Sequence, residues 1–224
     1  IGECRKAKAT KIRTLCFAGL HPAEIDRMAC RDKHKLPEVL ALVEKVYKAV
    51  ENAIRRGDID GIGEVGRPHY KTSPEGFVAS EIAMRWALIM ARDLGVPVHL
   101  HLEQAGAATA TDIDEVLSLL RVDKNRVVLH HLDIATAREA QSRGLVFTVP
   151  GKYEALKAAF KTLRPYYMVE SDFIDDPKRP GVSSYPWDAV NNQKKLLSEG
   201  VVDEEYLSKI NIDTVVKVYA VEPP

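Results

Sequence analysis

The stretch VPVHLHLE, residues 96–103, decides the fold class, because a short apolar run ends there in two histidines. Side chains alternate across a strand, so His99 and His101 are expected on one face, with His101 nearer the strand end. A helical stretch at 111–120 follows. An apolar strand that ends in a metal-capable side chain and leads into a helix is typical of parallel α/β folds.

The same pattern recurs four more times along the chain. The runs and their terminal side chains are LCFAGLHP with His21, DGIGEVG with Glu64, RVVLHHLD with His130 and His131, and YYMVESDF with Asp172. In a (β/α) barrel, the C-terminal ends of the strands converge on one face. Side chains that are far apart in sequence are therefore expected to meet at one site.

Apolar runs alternate with stretches of helical period, which predicts βαβ units and a parallel sheet. Strands are predicted at 12–19, 60–65, 96–102, 126–131, 145–149 and 166–171. Helices are predicted at 37–54, 74–94, 111–120, 135–142, 153–163, 187–199 and 203–218. Ser73 is the predicted N-cap of the helix at 74–94, and Gly95 is its predicted end.

We expect a TIM (β/α)8 barrel that forms a single domain over residues 1–224. Such a barrel has eight strands, whereas the sequence predicts six. The expectation is therefore an N-terminally incomplete barrel, with the first two strands missing from this sequence.

The composition narrows the class of protein. The 224 residues are 46% hydrophobic, which is enough for one sizeable core. Lys plus Arg and Asp plus Glu both total 32, so no global positive field holds nucleic acid nonspecifically. The three cysteines form no CxxC pair, which favours a reduced, cytoplasmic protein. No apolar run is long enough for a membrane span, so no membrane partner is expected.

The residue types at the strand ends predict a metal site. A mixed set of histidine and carboxylate ligands suits one or two divalent metal ions, with Zn, Mg or Mn as candidates. Glu64 is placed to bridge two ions, and His101 and His130 to bind one of them. Asp172 is expected to bind the other ion or to take a proton from the attacking water as catalytic base. His130 and His131 are expected on opposite strand faces, and the VVLH spacing favours His130 as the ligand.

Other polar residues near the strand ends are candidates for substrate binding. Arg67 and His69 follow Glu64 in GRPHY and are expected at the mouth of the site. Arg179 in DDPKRPG is a candidate for bidentate anion binding, with a loop salt bridge to Asp175 or Asp176 as the alternative.

The motifs GLHPAE, GIGEVGRPHY, VPVHLHLE, VVLHH and MVESDFIDDPKRPG together resemble the TatD-related metal-dependent hydrolases of the amidohydrolase superfamily, particularly the archaeal branch. The resemblance implies a (β/α)8 barrel, a one- or two-metal site and hydrolytic activity, since better-known members act as deoxyribonucleases or phosphoesterases. It also implies that Glu64, His101, His130 and Asp172 are metal ligands and that His21 lies near the site. The family's N-terminal HxH motif does not occur in this sequence.

The sequence thus predicts a metal-dependent hydrolase that acts on a small-molecule or nucleic-acid phosphoester. An amidohydrolase or lactonase is an alternative, because the same metal-activated water serves both reactions. If the HxH strand is truly absent, a noncatalytic metal-binding barrel is a further alternative, and a metal-binding regulator of nucleic acid is a weaker one. The sequence predicts no oligomeric state.

Overall fold

The structure, a computed structural model, describes residues 2–31, 35–178 and 184–223. Within these ranges, six strands alternate with ten α-helices. The strands are β1 Phe17–Ala18, β2 Gly61–Gly66, β3 Val98–His101, β4 Val127–Leu129, β5 Val146–Pro150 and β6 Met168–Glu170. The helices are α1 Gly2–Lys8, α2 Pro22–Asp26, α3 Leu36–Arg55, α4 Pro74–Leu94, α5 Ala107–Leu120, α6 Ile134–Ser142, α7 Tyr153–Thr162, α8 Pro186–Ser198, α9 Glu204–Ser208 and α10 Thr214–Tyr219.

All six predicted strands are present, but β1 is much shorter than the predicted run at 12–19. The Asp60 carboxylate accepts the backbone N–H of Cys16 at 2.8 Å, so strand pairing begins only at Phe17. The predicted helix at 203–218 is divided by a π-helical turn, Lys209–Asp213. There the Thr214 hydroxyl donates to the carbonyl of Lys209 at 2.9 Å.

The chain forms two compact units. The first comprises Ile1–Glu103 and Val116–Arg126. Its strands β1, β2 and β3 pair in parallel, with Phe17 opposite Gly61 and Ile62 opposite Val98. Helix α3 buries one apolar stripe against this unit, because its apolar residues recur at helical spacing. The buried residues of α3 are Val39, Val43, Tyr47, Val50 and Ala53.

Helix α4 begins and ends where the sequence predicts. The Ser73 hydroxyl accepts the backbone N–H of Gly76 at 3.1 Å, and Gly95 ends the helix at φ 67°. Gly66, the last residue of β2, has φ 142°, and a Cβ there would lie 2.0 Å from the His101 carbonyl oxygen. Only glycine therefore lets the end of β2 lie this close to His101.

The second unit comprises Gln104–Glu115 and Val127–Pro224. Its strands β4, β5 and β6 also pair in parallel. A buried cluster of Val128, Val146, Met168 and Val218 holds helix α10 against these strands. Thr148 of β5 lies opposite Met168 of β6. Polar side chains at or just after the ends of β4 and β6 form the group described below.

These elements confirm the predicted α/β class with parallel strands. The eight-stranded barrel, the single domain and the two additional N-terminal strands remain predictions, because the described residues contain six strands. Within the described ranges, no helix combines the length and the apolar character that crossing a bilayer requires.

The cysteines differ from the expectation. Cys4 and Cys16 form a disulfide with Cα atoms 5.9 Å apart, whereas the sequence predicts three reduced thiols. Arg5 and Lys8 pair with Asp58 and Asp60. The Asp60 carboxylate also accepts the backbone N–H of Cys16, so it links the two cysteine segments. The Cys30 thiol is free.

Candidate metal centre

The first candidate site, the Glu64 group, consists of His21, Glu64 and His101 in the first unit. Their ligand atoms lie within 4.8 Å of one another. Glu64 Oε2 is 3.1 Å from His101 Nδ1 and 3.8 Å from His21 Nε2. Glu64 lies in β2 and His101 ends β3, so neighbouring parallel strands bring the two side chains together.

The hydrogen bond that His21 forms as the N-cap of α2 determines which of its ring nitrogens carries the proton. His21 Nδ1 accepts the backbone N–H of Ala23 at 3.1 Å and thereby caps α2. The neutral ring therefore has its proton on Nε2, which lies 3.3 Å from His101 Nδ1. Burial and the nearby His101 lower the pKa of His21, while Glu64 acts in the opposite direction. His21 thus presents a donor towards Glu64 and His101, which suits substrate binding better than metal binding.

His69 and His99 are the two other histidines that the structure describes in this unit. His69 is exposed, and its ring stacks on His101 with centroids 4.5 Å apart. His99 contacts Phe17 at a centroid distance of 4.5 Å. The structure therefore brings His101, and not His99, together with Glu64, as the sequence predicts.

The second candidate site, the Glu170 group, consists of His130, His131, Glu170 and Asp172 in the second unit. Their ligand atoms also lie within 4.8 Å of one another. His130 Nε2 is 3.0 Å from Glu170 Oε2, and His131 Nδ1 is 3.7 Å from Glu170 Oε1. The two histidine rings are joined through their Nδ1 atoms, which are 3.2 Å apart.

The Glu170 carboxylate contacts both histidines of this group and is itself hydrogen-bonded to Thr148. Its carboxylate accepts the Thr148 hydroxyl at 2.5 Å, and Thr148 Oγ1 in turn accepts the backbone N–H of His131 at 2.8 Å. Burial raises the pKa of Glu170, but the hydrogen bonds and charge of His130 and the Thr148 hydroxyl outweigh it and keep the pKa below its usual value. A carboxylate that bonds a histidine in this way fixes the ring orientation that a metal ligand needs.

The prediction that His130 and His131 lie on opposite faces is wrong. Strand β4 ends at Leu129, so the alternation rule no longer applies at these positions. His131 has φ 43°, a left-handed conformation that turns its side chain to the side of His130. Asp172 is likewise left-handed at φ 50°. Such backbones cost about 1–3 kcal/mol each and are concentrated at functional sites.

Comparison with known proteins assigns the chain to a family. The family model described as TatD related DNase matches residues 3–220. The chain belongs to the TatD-related DNase family. A protein of Methanocaldococcus jannaschii, Uncharacterized protein MJ1127, is 27% identical over 217 residues, which are 95% of this chain and 74% of that protein.

Two solved structures share the fold of this TatD-family chain. YJJV, a TatD homolog from Escherichia coli K12, superimposes with a TM-score of 0.68 at 16% identity, over 98% of this chain and 81% of that one. A mutant of an organophosphorus hydrolase from Deinococcus radiodurans gives a TM-score of 0.63 at 16% identity, over 82% and 65% of the two chains. As a TatD-family member, this protein is a metal-dependent hydrolase.

The donor atoms of both groups in this TatD-family hydrolase fit a divalent cation. Imidazole and carboxylate ligands lie about 2.0–2.2 Å from such an ion and hence roughly 3–4 Å from one another. Each group offers nitrogen and oxygen donors within 4.8 Å. Glu64 and His101 are the ligands that the first group offers, and His130, His131 and Asp172 those of the second.

Two predicted substrate residues are not placed in these groups. Arg67 is 5% exposed and forms a bidentate bond with Glu103 at 2.7 and 3.0 Å. Its Nη1 also lies 3.4 Å from Glu81 Oε2. The predicted substrate contact of Arg67 is not supported, because this guanidinium is occupied in fixing two carboxylates. Arg179 lies outside the described residues.

Removing the Arg67 side chain is expected to destabilise the protein. Arg67→Ala leaves Glu81 and Glu103 without their shared buried cation, which costs about 3–5 kcal/mol for a fully buried pair. The Glu103 side chain is 31% exposed, so we expect about 2–3 kcal/mol here. Urea denaturation measures the change, and Arg85→Ala is the matched control.

The control removes a cation from the same carboxylate on its exposed side. Arg85 bonds Glu81 at 2.8 Å with its side chain 47% exposed, so Arg85→Ala should cost about 0.5 kcal/mol or less. Equal losses for the two variants would show that the burial of Arg67 adds nothing to stability.

Sequence reasoning missed Glu170 and the contribution of His131. A search for carboxylates at the strand ends could have found Glu170, because it is the last residue of β6. No comparable sequence pattern predicts the left-handed conformation of His131, since that conformation is uncommon for any residue other than glycine.

Proposed function

We propose that this TatD-family hydrolase cleaves phosphoester bonds, with one or two divalent ions bound by Glu64, His101, His130 and Asp172. The observation that carries this proposal is the presence of two imidazole and carboxylate groups at the C-terminal ends of parallel strands. Imidazole ligands favour Zn, whereas carboxylate ligands suit Mg and Mn.

A bound divalent ion supplies a water of lowered pKa and polarises the phosphoryl oxygen. Asp172 would accept the proton of the attacking water as the water oxygen bonds to phosphorus. The bond between phosphorus and the leaving oxygen would break, and Asp172 would pass this proton to the leaving oxygen, which restores the carboxylate. Glu170 orients His130 throughout.

The surroundings of His131 support an anionic substrate. A cavity of about 330 Å³ lies beside His131 and includes the exposed Lys152 in its lining. Lys152 immediately precedes helix α7, whose N-terminal N–H groups add to the positive potential of its ammonium group. A phosphate group is attracted to such a position. The organophosphorus hydrolase that shares this fold acts, by its name, on organophosphorus compounds.

Metal removal tests the proposal directly. Dialysis against a chelator should lower hydrolysis of bis(p-nitrophenyl) phosphate and of a single-stranded oligodeoxynucleotide to the uncatalysed level, because the water loses its activating ion. Added Zn²⁺ or Mn²⁺ should restore it. Metal content is measured in parallel, and a lactone and an amide substrate complete the panel.

Two outcomes would contradict the proposal. Full activity in chelator-treated, metal-free protein would remove the metal from the reaction. Metal-dependent turnover of the lactone or the amide, with no phosphoester hydrolysed, would assign the site to the alternative reaction.

A further inference from the structure

Several charged residues of helix α3 form a stripe along one side of that helix. They recur at intervals of four, three and four residues, which places their side chains on one face. Their charges alternate in sign along the helix, beginning with an acidic residue and ending with a basic one. We call these residues the charged stripe: Glu44, Lys48, Glu51 and Arg55.

The charged stripe is only partly neutralised within the chain. The Glu51 carboxylate pairs with Lys48 at 2.9 Å and with Arg55 at 2.8 Å. The side chains of Lys48 and Arg55 nevertheless remain 67% and 62% exposed. Glu44 is exposed and forms no ion pair with any residue that the structure describes. One end of the stripe therefore carries an unmatched carboxylate, and the other end carries an exposed guanidinium.

An apolar groove lies beside the charged stripe, between α3 and α4. It has a volume of about 410 Å³, and the stripe residues line it on the α3 side. On the α4 side it is lined by Trp86, Ile89, Met90 and Leu94. The Trp86 side chain is 37% exposed. An exposed apolar surface with a charged rim is typical of a contact with another protein.

The order of charges in the stripe is self-complementary under a twofold rotation. When two α3 helices lie antiparallel and are centred between Lys48 and Glu51, Glu44 of each copy faces Arg55 of the other. Lys48 of each copy then faces Glu51 of the other. A parallel arrangement in the same register would place like charges opposite one another, which is unfavourable. The stripe therefore favours an antiparallel pairing, and such reciprocal contacts are what an isologous dimer requires.

The same rotation brings the two apolar grooves together. Helices α3 and α4 each connect two neighbouring strands of a parallel sheet, so the two helices run in the same direction. An antiparallel pairing of α3 therefore also places α4 of one copy against α4 of the other. Trp86 and Met90 of the two copies then exclude water from a shared apolar strip.

The size of this face is sufficient for a specific contact. Helix α3 has 20 residues and α4 has 21. Helices of this length are roughly 30 Å long, and two of them side by side are about 20 Å wide, so each copy offers on the order of 600 Å². Specific interfaces bury about 1,200–2,000 Å² over both partners. The face lies at the lower end of that range, which predicts a dimer of modest affinity.

We propose that the face formed by α3 and α4 binds a second copy of this chain in an antiparallel, twofold-symmetric dimer. The charged stripe sets the register of the two copies, and the apolar groove contributes the area removed from water. The dimer is independent of the proposed hydrolytic reaction, because neither helix contributes a residue to the candidate metal groups.

Charge reversal at the two ends of the stripe tests this pairing. Sedimentation equilibrium of the full chain between about 1 and about 200 μM should show a mass that rises from 24.9 kDa towards twice that value. Glu44→Arg makes both ends of the stripe basic, and Arg55→Glu makes both ends acidic. Each variant alone should dimerise at least about tenfold more weakly, because two facing pairs in every dimer become like-charged.

An equimolar mixture of these two variants distinguishes contacts between copies from changes within one chain. In the mixed dimer both facing pairs again have opposite charges, so association should return to within about threefold of the parent. The altered charges within each helix remain in the mixture and cannot produce this recovery. Lys45→Glu is the matched control, since Lys45 is an exposed residue of α3 outside the stripe, and it should associate as the parent does.

A separate variant tests the groove. Trp86→Ala should weaken dimerisation at least about tenfold, because large aromatic side chains near the centre of an interface dominate its binding energy. Trp187→Ala is the matched control, since Trp187 is 59% exposed and lies on α8, and it should leave association unchanged. Circular dichroism of each variant checks that the fold is retained.

Three results would overturn the proposed dimer. The first is a mass of 24.9 kDa at every concentration. The second is a dimer that neither charge reversal weakens, because that dimer would use another face. The third is a mixture of the two reversed variants that associates no better than either variant alone. None of these results depends on whether the protein hydrolyses a phosphoester, so the dimer and the proposed function fail separately.

Discussion

Asp172→Asn should lower kcat for phosphoester hydrolysis by about 10³-fold and leave the fold intact. Loss of a general base costs about 10²–10⁴-fold, and asparagine keeps the volume of the side chain but not its basicity. The carboxylate of Asp172 lies within 4.8 Å of the ligand atoms of His130, His131 and Glu170, so the same substitution also weakens binding of a metal ion.

Steady-state kinetics at saturating metal separates the two contributions of Asp172, because added metal compensates for weaker metal binding but not for a missing base. Asp175→Asn is the matched control, since Asp175 is an exposed carboxylate three residues later and should leave kcat unchanged. If Asp172→Asn retains activity within a few-fold of the parent, Asp172 has no part in the reaction.

Glu64→Gln should reduce both metal affinity and kcat/KM by about 10²-fold or more. Residues that orient a metal ligand already contribute about 10–100-fold to metal affinity or activity, and a ligand contributes at least as much. Glu64 Oε2 is the atom that lies between His101 and His21, at 3.1 and 3.8 Å. Glutamine keeps the shape of the side chain but removes the charge that attracts the cation.

Metal titration with a competing chelator measures the affinity of Glu64→Gln. Glu24→Gln is the control, because Glu24 is an exposed carboxylate on α2, close in sequence to His21, and pairs with Arg27 at 2.8 Å. A Glu64→Gln protein that binds metal as tightly as the parent would remove Glu64 from the metal site.

The strand positions and the proximity of Glu64 to His101 on neighbouring strands could be predicted from the sequence. Six apolar runs gave six strands, because each run is bounded by turn or polar residues and is too short for a helix. His101 was distinguished from His99 by alternation, which holds as long as the chain remains in a strand.

The features that could not be predicted are a residue beyond the end of its strand and two contacts between residues far apart in the sequence. Strand β4 ends before His131, so the alternation rule predicts the wrong side for this side chain. Arg67 is followed only much later by its partner Glu103, and long-range ion pairs have no local pattern. The disulfide between Cys4 and Cys16 depends in the same way on how α1 lies against the chain.

The end of β2 in the first unit contains one position, Gly66, that only glycine can occupy, and a nearby position, His69, that other residues can occupy. A side chain at Gly66 would collide with the His101 carbonyl oxygen. Substitutions, natural or engineered, are therefore not expected at that position. The exposed ring of His69, three residues later, is under no such steric limit. New substrate preferences could therefore evolve at His69 while the carboxylate–imidazole pair keeps its spacing.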